Sequence, residues 1–453
     1  MRRDPFAEAS GDRSSPRAKD LAYGIYALDE WRKVVFKVGW HRGIYNEPDD
    51  QSGKSVLKKV AIRMRRSRWR SLLPVTLGLY LWSWTPVPAQ AGSAGQVELR
   101  RVPDGGIQPQ VAVDEHGTVH LVYFKGDPSN GDLFYATSND GAAFSSPIRV
   151  NSVPGSAIAI GNIRGARIAN GRHGNIYVIW NGSAKMGNPS EGRSPMLFSR
   201  LNEAHTSFEP ERNLIHSAHG IDGGGGIAAD QQGRVYVFWH APVPGRRGEE
   251  FRRVWMTRSE DDGESFASER IAWEQPIGAC GCCSLDSYAD RAGRVYVLFR
   301  SAQSTIHRDM YLLESTDHGT TFSGSNISKW NAGYCVMSSE AFAGGRSGTY
   351  AAWESEKRVH FGLIDSKTGT STDSPVSSDA AVQKYPALAV SREGLILASW
   401  TEGMVWKRGG SVHWQLFDSQ GQMVGQSGFA NGVPMWSLVV AYARKDGTFV
   451  VLF

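Results

Sequence analysis

Four cysteines carry the most reactive side chains of the sequence, and all of them fall in one short stretch. They are Cys280, Cys282, Cys283 and Cys335. An even number of cysteines usually means disulfide bonds where a protein is exported, and the N-terminal segment described below predicts export. We therefore expect Cys335 to pair with one of the three upstream thiols, and the other two could form a second bridge.

Three thiols within four residues are awkward for ordinary disulfides, so two other interpretations stay open. Clustered thiolates close to His240 and Met337 also suit a soft metal ion, Cu(I) or Zn(II). A free or redox-active thiol is the third interpretation. The spacing Cys-x-Cys-Cys fits zinc-finger and ferredoxin patterns poorly, and no cofactor beyond such a metal is expected.

The segment before residue 92 has the layout of a secretory signal. Seven basic residues lie between Lys58 and Arg70, followed by the apolar run 72–84 and by Ala89-Gln90-Ala91. This order predicts a signal peptide over 64–91, cleaved after Ala91, with export to the periplasm or the medium. An uncleaved signal anchor is the alternative and would be the only membrane contact. Residues 1–63 are interpreted as a disordered leader or an over-extended gene start, and 92–453 as a single domain.

The net charge of +5 does not indicate a nucleic-acid partner. Much of the basic excess lies in the cluster before the signal, so the remaining chain is close to neutral. A nucleic-acid role requires a basic face on the folded domain, and the sequence predicts none.

A hairpin pattern recurs from residue 107 to the end of the chain. Each copy has a small-apolar strand, a glycine turn and a strand rich in Val, Ile, Tyr, Phe and Trp, as in "IAADQQGRVYVFWH". Such strands with a glycine at the turn are typical of β-hairpins. The turn glycines are Gly117, Gly174, Gly233, Gly293, Gly348, Gly394 and Gly447.

Third and fourth strands follow each of the first six hairpins, which predicts an all-β fold of the propeller class. The seventh copy stops after its second strand. The segment Gln96–Val102 could supply an outer strand to that last blade and so close the ring. We expect six full four-stranded repeats plus a partial seventh blade, with a six-bladed ring as the alternative.

A glycine-containing turn follows the third strand in three of the repeats. It reads "SEDDGESF", "STDHGTTF" and, more loosely, "TSNDGAAF". The acidic or amide side chain can accept backbone N–H groups of its own turn, and the glycine permits a positive φ. The residues in these roles are Asp261, Gly263 and Phe266, then Asp317, Gly319 and Phe322, then Asn139, Gly141 and Phe144.

This turn resembles the Asp box, or BNR repeat, of the sialidase superfamily. The resemblance extends over most of residues 97–453 and implies a sialidase-like β-propeller. Asp boxes are structural in that superfamily, so the resemblance does not by itself imply sialidase activity.

Strand direction predicts which face of the propeller could carry chemistry. Because strands alternate, the Asp boxes share one face, and the opposite face collects the starts of first strands and the ends of second strands. Loops gathered at the axis of a ring fold are the usual binding sites. The polar residues expected on this opposite face include Arg164, Asp222, His240, Arg300, Glu354 and Tyr385, together with the four cysteines.

The superfamily resemblance also implies a catalytic arrangement of three arginines that grip a carboxylate, a Tyr nucleophile assisted by Glu, and an Asp acid/base. The nearest candidates here are Arg164, Arg300, Glu354 and Tyr385. The Arg-Ile-Pro signature of the first blade is missing, since "IQPQVAV" stands there, and a third axial arginine is not obvious.

The sequence thus predicts an exported, monomeric propeller that recognises a glycan or another extracellular ligand at the axial face. If it is an enzyme, it would be a glycoside hydrolase of the exo-sialidase type. The alternative is a non-enzymatic propeller whose cysteine-rich rim binds Cu or Zn or docks a partner protein.

Overall fold

Seven small β-sheets follow one another along the part of the chain that the structure describes. The structure is a computed structural model that describes residues 95–187, 194–365, 370–371, 374–377 and 381–453. The expected leader 1–63 and signal segment 64–91 lie outside the described residues. Among the described residues, no helix is both long enough and apolar enough to span a membrane.

The first four sheets are antiparallel and four-stranded, with their strands paired in chain order. Blade 1 contains β2 (Ile107–Val113), β3 (Val119–Lys125), β4 (Asp132–Ser138) and β5 (Ile148–Arg149). Blade 2 contains β6 (Arg167–Asn170), β7 (Ile176–Asn181), β8 (Met196–Arg200) and β9 (Arg212–Asn213). Blade 3 contains β10 (Gly226–Ala229), β11 (Val235–Pro242), β12 (Arg252–Ser259) and β13 (Arg270–Ile271). Blade 4 contains β14 (Leu285–Ala289), β15 (Val295–Arg300), β16 (Met310–Ser315) and β17 (Ser323–Ser328).

The last three sheets vary this plan. Blade 5 has two short outer strands on its third strand, with β18 (Ala341–Gly345), β19 (Gly348–Ser355), β20 (Arg358–Asp365), β21 (Thr370–Ser371) and β22 (Ser374–Pro375). Blade 6 contains β23 (Gln383–Val390), β24 (Ile396–Glu402), β25 (Gly410–Phe417) and β26 (Met423–Val433). Blade 7 contains β27 (Val440–Ala443) and β28 (Phe449–Leu452), completed by β1 (Val97–Arg100). Short 3₁₀ turns lie at Pro103–Gly105, Arg172–Gly174 and Glu249–Phe251.

The two ends of the chain close the ring within blade 7. β1 pairs with β28 in parallel, with Val97 opposite Phe449 and Arg100 opposite Leu452. The first strands of successive blades contact one another, and β27 contacts β2. The prediction of a seven-bladed propeller closed by the N-terminal strand is therefore confirmed, and the six-bladed alternative is wrong.

The core lies mainly between blades, and the second strand of each blade is its most buried part. β7, β11 and β15 are buried along nearly their whole length, because each has a hydrogen-bonded strand on either side and a neighbouring blade on either face. Trp180, Trp239 and Trp353 occupy such second strands and are among the largest fully buried side chains.

Candidate functional site

The thiol loop, residues 280–284, leads into the first strand of blade 4. A disulfide joins Cys282 to Cys335, which lies in the segment before the first strand of blade 5. Cys280 and Cys283 are reduced and buried. The expected bridge from Cys335 to an upstream thiol is thus present, it selects Cys282, and the second bridge is not formed.

The sulfur atoms of the thiol loop are close together. Cys280 Sγ lies 3.1 Å from Cys283 Sγ and 3.5 Å from Cys282 Sγ. Trp330, Ala332 and Val336 pack around them and give the cluster an apolar wall. Cys335 is exposed at the surface, so the disulfide has one inner and one outer sulfur.

Burial alone would raise the pKa of the Cys283 thiol, but hydrogen bonding to Cys280 and the Arg300 charge outweigh it. The pKa of Cys283 falls to about 6. The hydrogen bond to Cys283, followed by burial, raises the pKa of Cys280. Cys283 is therefore the more acidic thiol of the pair, and its ionisation opposes that of Cys280.

His240, at the end of β11, holds the thiol loop rather than facing a ligand. Its Nδ1 accepts a hydrogen bond from Arg252 Nε at 3.1 Å. Since a guanidinium can only donate, Nε2 carries the imidazole proton and donates to the Cys283 carbonyl at 2.9 Å. Burial, with the Arg252 charge, lowers the pKa of His240 to about 3. Both ring nitrogens are engaged, so His240 is not available to a metal in this arrangement.

Arg300 ends β15 and is buried, with 1% of its surface exposed. Nε donates to Ser338 Oγ at 2.9 Å, Nη1 donates to the Arg308 carbonyl at 2.6 Å, and Nη2 donates to the Glu354 carbonyl. The guanidinium carbon stands 4.9 Å from the centroid of the Trp330 ring. Three of its five N–H donors are thus bonded to interior groups, and the burial of the side chain keeps a carboxylate ligand in solvent from reaching the rest.

Glu354 and Tyr385 lie in the same interior region. Lys384 Nζ is 2.9 Å from the Glu354 carboxylate, which is 1% exposed, and it also donates to the Val336 carbonyl. Burial, with the Glu354 and Cys283 charges, raises the pKa of Tyr385. The structure therefore places Arg300, Glu354 and Tyr385 in one region, as the sequence analysis expected, but beneath the surface.

Arg164 is placed apart from that interior group. Its guanidinium makes an ion pair with Asp222 at 2.5 Å and donates from Nε to the Asp222 carbonyl at 2.7 Å. The Arg164 Nη1, Met337 Sδ and Trp406 ring atoms converge over Gly161, each within 4 Å of where a β-carbon would stand. The Trp406 and Trp436 rings are 5.8 Å apart. We call Arg164, Met337, Trp406 and Trp436 the axial patch.

The buried side chain of Gln108 contacts the backbone of the axial patch. Gln108 Nε2 donates to the carbonyls of Ala159 and Trp436, and Gly165 leaves room for the Gln108 side chain. The first strands of the blades line a cavity of about 750 Å³ that reaches the hairpin turns of the Asp-box face. The inner end of the cavity contains Arg167 and Glu340.

The Asp-box turns lie on the face opposite the thiol loop. Asp261 Oδ1 accepts from Ser265 N at 2.9 Å, and Asp317 Oδ1 accepts from Thr321 N at 2.9 Å. Gly263 and Gly319 have φ of 78° and 73°. Phe266 and Phe322 pack edge-on against Phe198 and Phe238 of the preceding blade.

The first Asp box differs from its predicted register. Ala142 N and Ser138 Oγ donate to Asp140 Oδ1 at 2.7 and 2.9 Å, so the accepting side chain is Asp140 and not Asn139. Gly141 keeps the positive φ of 67°, and Phe144 packs beside the core between blades 7 and 1.

Two residues of the axial face, Trp406 and Lys384, were missed by the sequence analysis. Trp406 lies in the turn between the second and third strands of blade 6, and the strand-direction rule places that turn on the axial face. Lys384 directly precedes Tyr385, but its pairing with Glu354 joins two blades and leaves no local pattern.

Comparison with known proteins gives likenesses of fold. No protein-family model matches the chain, and no curated protein matches it in sequence. A protein of unknown function from Dyadobacter fermentans has 13% identity and a TM-score of 0.48, over 71% of this chain and 96% of that one. The Hadza microbial sialidase Hz136 has 11% identity and a TM-score of 0.45, over 72% and 74%. An α-L-arabinanase from Penicillium chrysogenum has 10% identity and a TM-score of 0.47, over 71% and 95%.

At identities this low, the likeness to these proteins concerns the fold alone. The strand pairing and the Asp-box turns together define a seven-bladed, sialidase-like β-propeller.

Proposed function

We propose that this propeller recognises a glycan at its axial patch. The observation that carries the proposal is the convergence of Trp406, Met337 and Arg164 over Gly161. Trp406 is 42% exposed although it is a large apolar side chain, and exposed aromatic surface beside polar groups marks binding sites.

The chemistry of the patch matches that of a sugar ring. The C–H face of a pyranose or furanose is apolar and packs on an indole, whereas its hydroxyl groups need charged or polar partners. The Asp222 side chain, which is 51% exposed, supplies acceptors for these hydroxyl groups. Arg164 is 17% exposed and keeps two of its five N–H donors after its bonds to Asp222 and to the Ile160 carbonyl.

The burial of the predicted catalytic group favours recognition over hydrolysis. A sialidase-type mechanism requires an arginine that meets the substrate carboxylate and a Tyr nucleophile that meets the sugar. Arg300 has interior partners on all three of its guanidinium nitrogens, and Tyr385 is 3% exposed with a raised pKa.

The Cys282–Cys335 disulfide supports the further proposal that the chain is exported, since such bonds persist in oxidising compartments.

Binding to an array of immobilised glycans, including sialylated and arabinose-containing ones, tests the proposal. We expect binding that Trp406→Ala abolishes and that Phe429→Ala retains. Phe429 is a matched control, because it is 64% exposed and lies on the outer strand of blade 6. Equal binding by the wild type and Trp406→Ala would refute the assignment to the axial patch.

A second assay separates recognition from hydrolysis. Turnover of a fluorogenic sialoside, lost in Tyr385→Phe, would establish a catalytic tyrosine and contradict the non-hydrolytic function. Tyr385→Phe is preferable to an Arg300 variant because it removes only a hydroxyl group from the buried site.

A further inference from the structure

The three inner sulfur atoms of the thiol loop form a site that glycan recognition does not use. Those of Cys280, Cys282 and Cys283 all lie within 4.8 Å of one another. Three sulfurs bound at about 2.3 Å to one ion in a plane stand about 4 Å apart. The observed separations of 3.1 Å and 3.5 Å, with an upper limit of 4.8 Å, bracket that value.

Two arginines lie beside this sulfur cluster, and the Glu249 carboxylate accepts a hydrogen bond from Gly281 N of the same loop at 2.6 Å. The Arg308 side chain is 6% exposed and pairs through Nη2 with Glu249 at 2.7 Å, whereas within the described chain its Nε and Nη1 have no hydrogen-bond partner. It interacts electrostatically with both Cys280 and Cys283, and Arg300 interacts with Cys283. Buried N–H donors without an acceptor are costly, and Glu249 leaves two nitrogens of Arg308 in that state. Three thiolates around a monovalent ion would carry a net negative charge and would give these nitrogens an anionic neighbour.

The disulfide controls whether the third sulfur can bind. Cys282 is bonded to Cys335, so it is not a thiolate in the oxidised protein. Cys335 is the exposed partner, and an external dithiol can attack its sulfur. The exchange moves two electrons and two protons, because the dithiol becomes a disulfide while Cys282 and Cys335 become thiols.

We propose that reduction of the Cys282–Cys335 disulfide opens a three-thiolate Cu(I) site formed by Cys280, Cys282 and Cys283. Soft thiolate ligands favour Cu(I), which accepts three of them. A structural Zn(II) site needs four ligands, whereas the cluster supplies three, because both nitrogens of His240 are engaged and Cys335 is exposed at the surface. The apolar wall of Trp330, Ala332 and Val336 packs against the cluster, in which Cys280 and Cys283 are each 1% exposed.

Copper(I) binding measured anaerobically by competition with bathocuproine disulfonate tests the proposal. The full chain is used in three forms: oxidised, reduced with dithiothreitol and then desalted, and as the untreated Cys335→Ser variant. We expect one Cu(I) per chain in the last two forms and none in the first, because Cys335→Ser leaves Cys282 free without any reductant. Adding Cys280→Ser to Cys335→Ser should abolish binding.

X-ray absorption of the copper-loaded reduced wild type gives a readout that does not depend on a variant folding. Three sulfur neighbours support the site. Equal uptake by the oxidised and reduced proteins, retention by the double variant, or fewer than three sulfur neighbours would overturn it. Uptake of Zn(II) with no uptake of Cu(I) would overturn it as well.

Discussion

Glu269 and Arg270 are neighbours at the outer edge of blade 3, and their side chains form hydrogen bonds to the two blades on opposite sides of it. The Glu269 carboxylate accepts hydrogen bonds from the backbone N–H groups of residues 216–218, which follow blade 2. Arg270 donates to the carbonyls of Gly319 and Thr320 in the Asp box of blade 4. One dipeptide therefore ties three successive blades together.

The same arrangement occurs one blade earlier. Glu211 accepts from the backbone N–H groups of Ser152 and Val153, and Arg212 donates to the carbonyls of Gly263 and Glu264. The Asp boxes thus give the outer strand of the preceding blade a set of carbonyl acceptors, which is a structural role on the face away from the axial patch.

Glu269→Gln should lower the free energy of unfolding at neutral pH and reduce the loss of stability at low pH. Burial raises the pKa of Glu269, but its backbone hydrogen bonds outweigh this and lower the pKa to about 2 from 4.5. Because the folded pKa is the lower one, the stabilisation is complete above pH 4.5 and is lost as the pH falls towards 2. We expect about 1 kcal/mol after allowance for solvent screening, measured by urea denaturation at pH 7 and pH 3. Exposed Glu203→Gln serves as the control and should leave the pH dependence unchanged.

The buried pair of Glu354 and Lys384 should show strong coupling between blades 5 and 6. Removing either partner leaves an uncompensated charge, since their side chains are 1% and 13% exposed. Glu354→Gln or Lys384→Met alone should cost about 3–5 kcal/mol of unfolding free energy. The double variant should cost much less than the sum of the two single costs, as a double-mutant cycle by urea denaturation will measure. Additive costs would show that the pair does not interact.

The sequence predicts the features that depend on local backbone requirements or on strand order, and it does not predict those that depend on packing between blades. Gly117 and Gly394 predict their hairpins because a positive φ is a local requirement, and the alternation of strands places the cysteines opposite Asp261. The choice of Cys282 as the partner of Cys335 depends on the packing of blade 4 against blade 5. The burial of Arg300 likewise depends on Trp330 and Ser338, which meet it only through tertiary contacts.

Asp140 and Asn139 offer a direct test of the register of the first Asp box. Asp140→Ala should lower the thermal midpoint, because it removes the acceptor for the Ala142 and Ala143 N–H groups. Asn139→Ala should leave the midpoint unchanged, since Asn139 is exposed and the turn closes on its neighbour. A larger loss in Asn139→Ala than in Asp140→Ala would favour the register predicted from the sequence.

The disulfide should stabilise the domain through the loop that it closes. Cys282 and Cys335 are 53 residues apart in sequence, and cross-linking a loop of this length removes unfolded-state entropy worth about 4 kcal/mol. A reductant should therefore lower the thermal midpoint of the wild type. It should have no effect on Cys335→Ser, whose midpoint should equal that of the reduced wild type.

Cys280→Ser is the matched control for that measurement, because it removes a thiol of the same loop but keeps the disulfide. Its midpoint should still fall on reduction. If the reductant instead acted through the Cys280–Cys283 pair, Cys280→Ser would lose its sensitivity and Cys335→Ser would keep it. The two variants therefore separate a cross-link between blades 4 and 5 from an effect of the inner thiols, and only the first outcome agrees with the pairing in this structure.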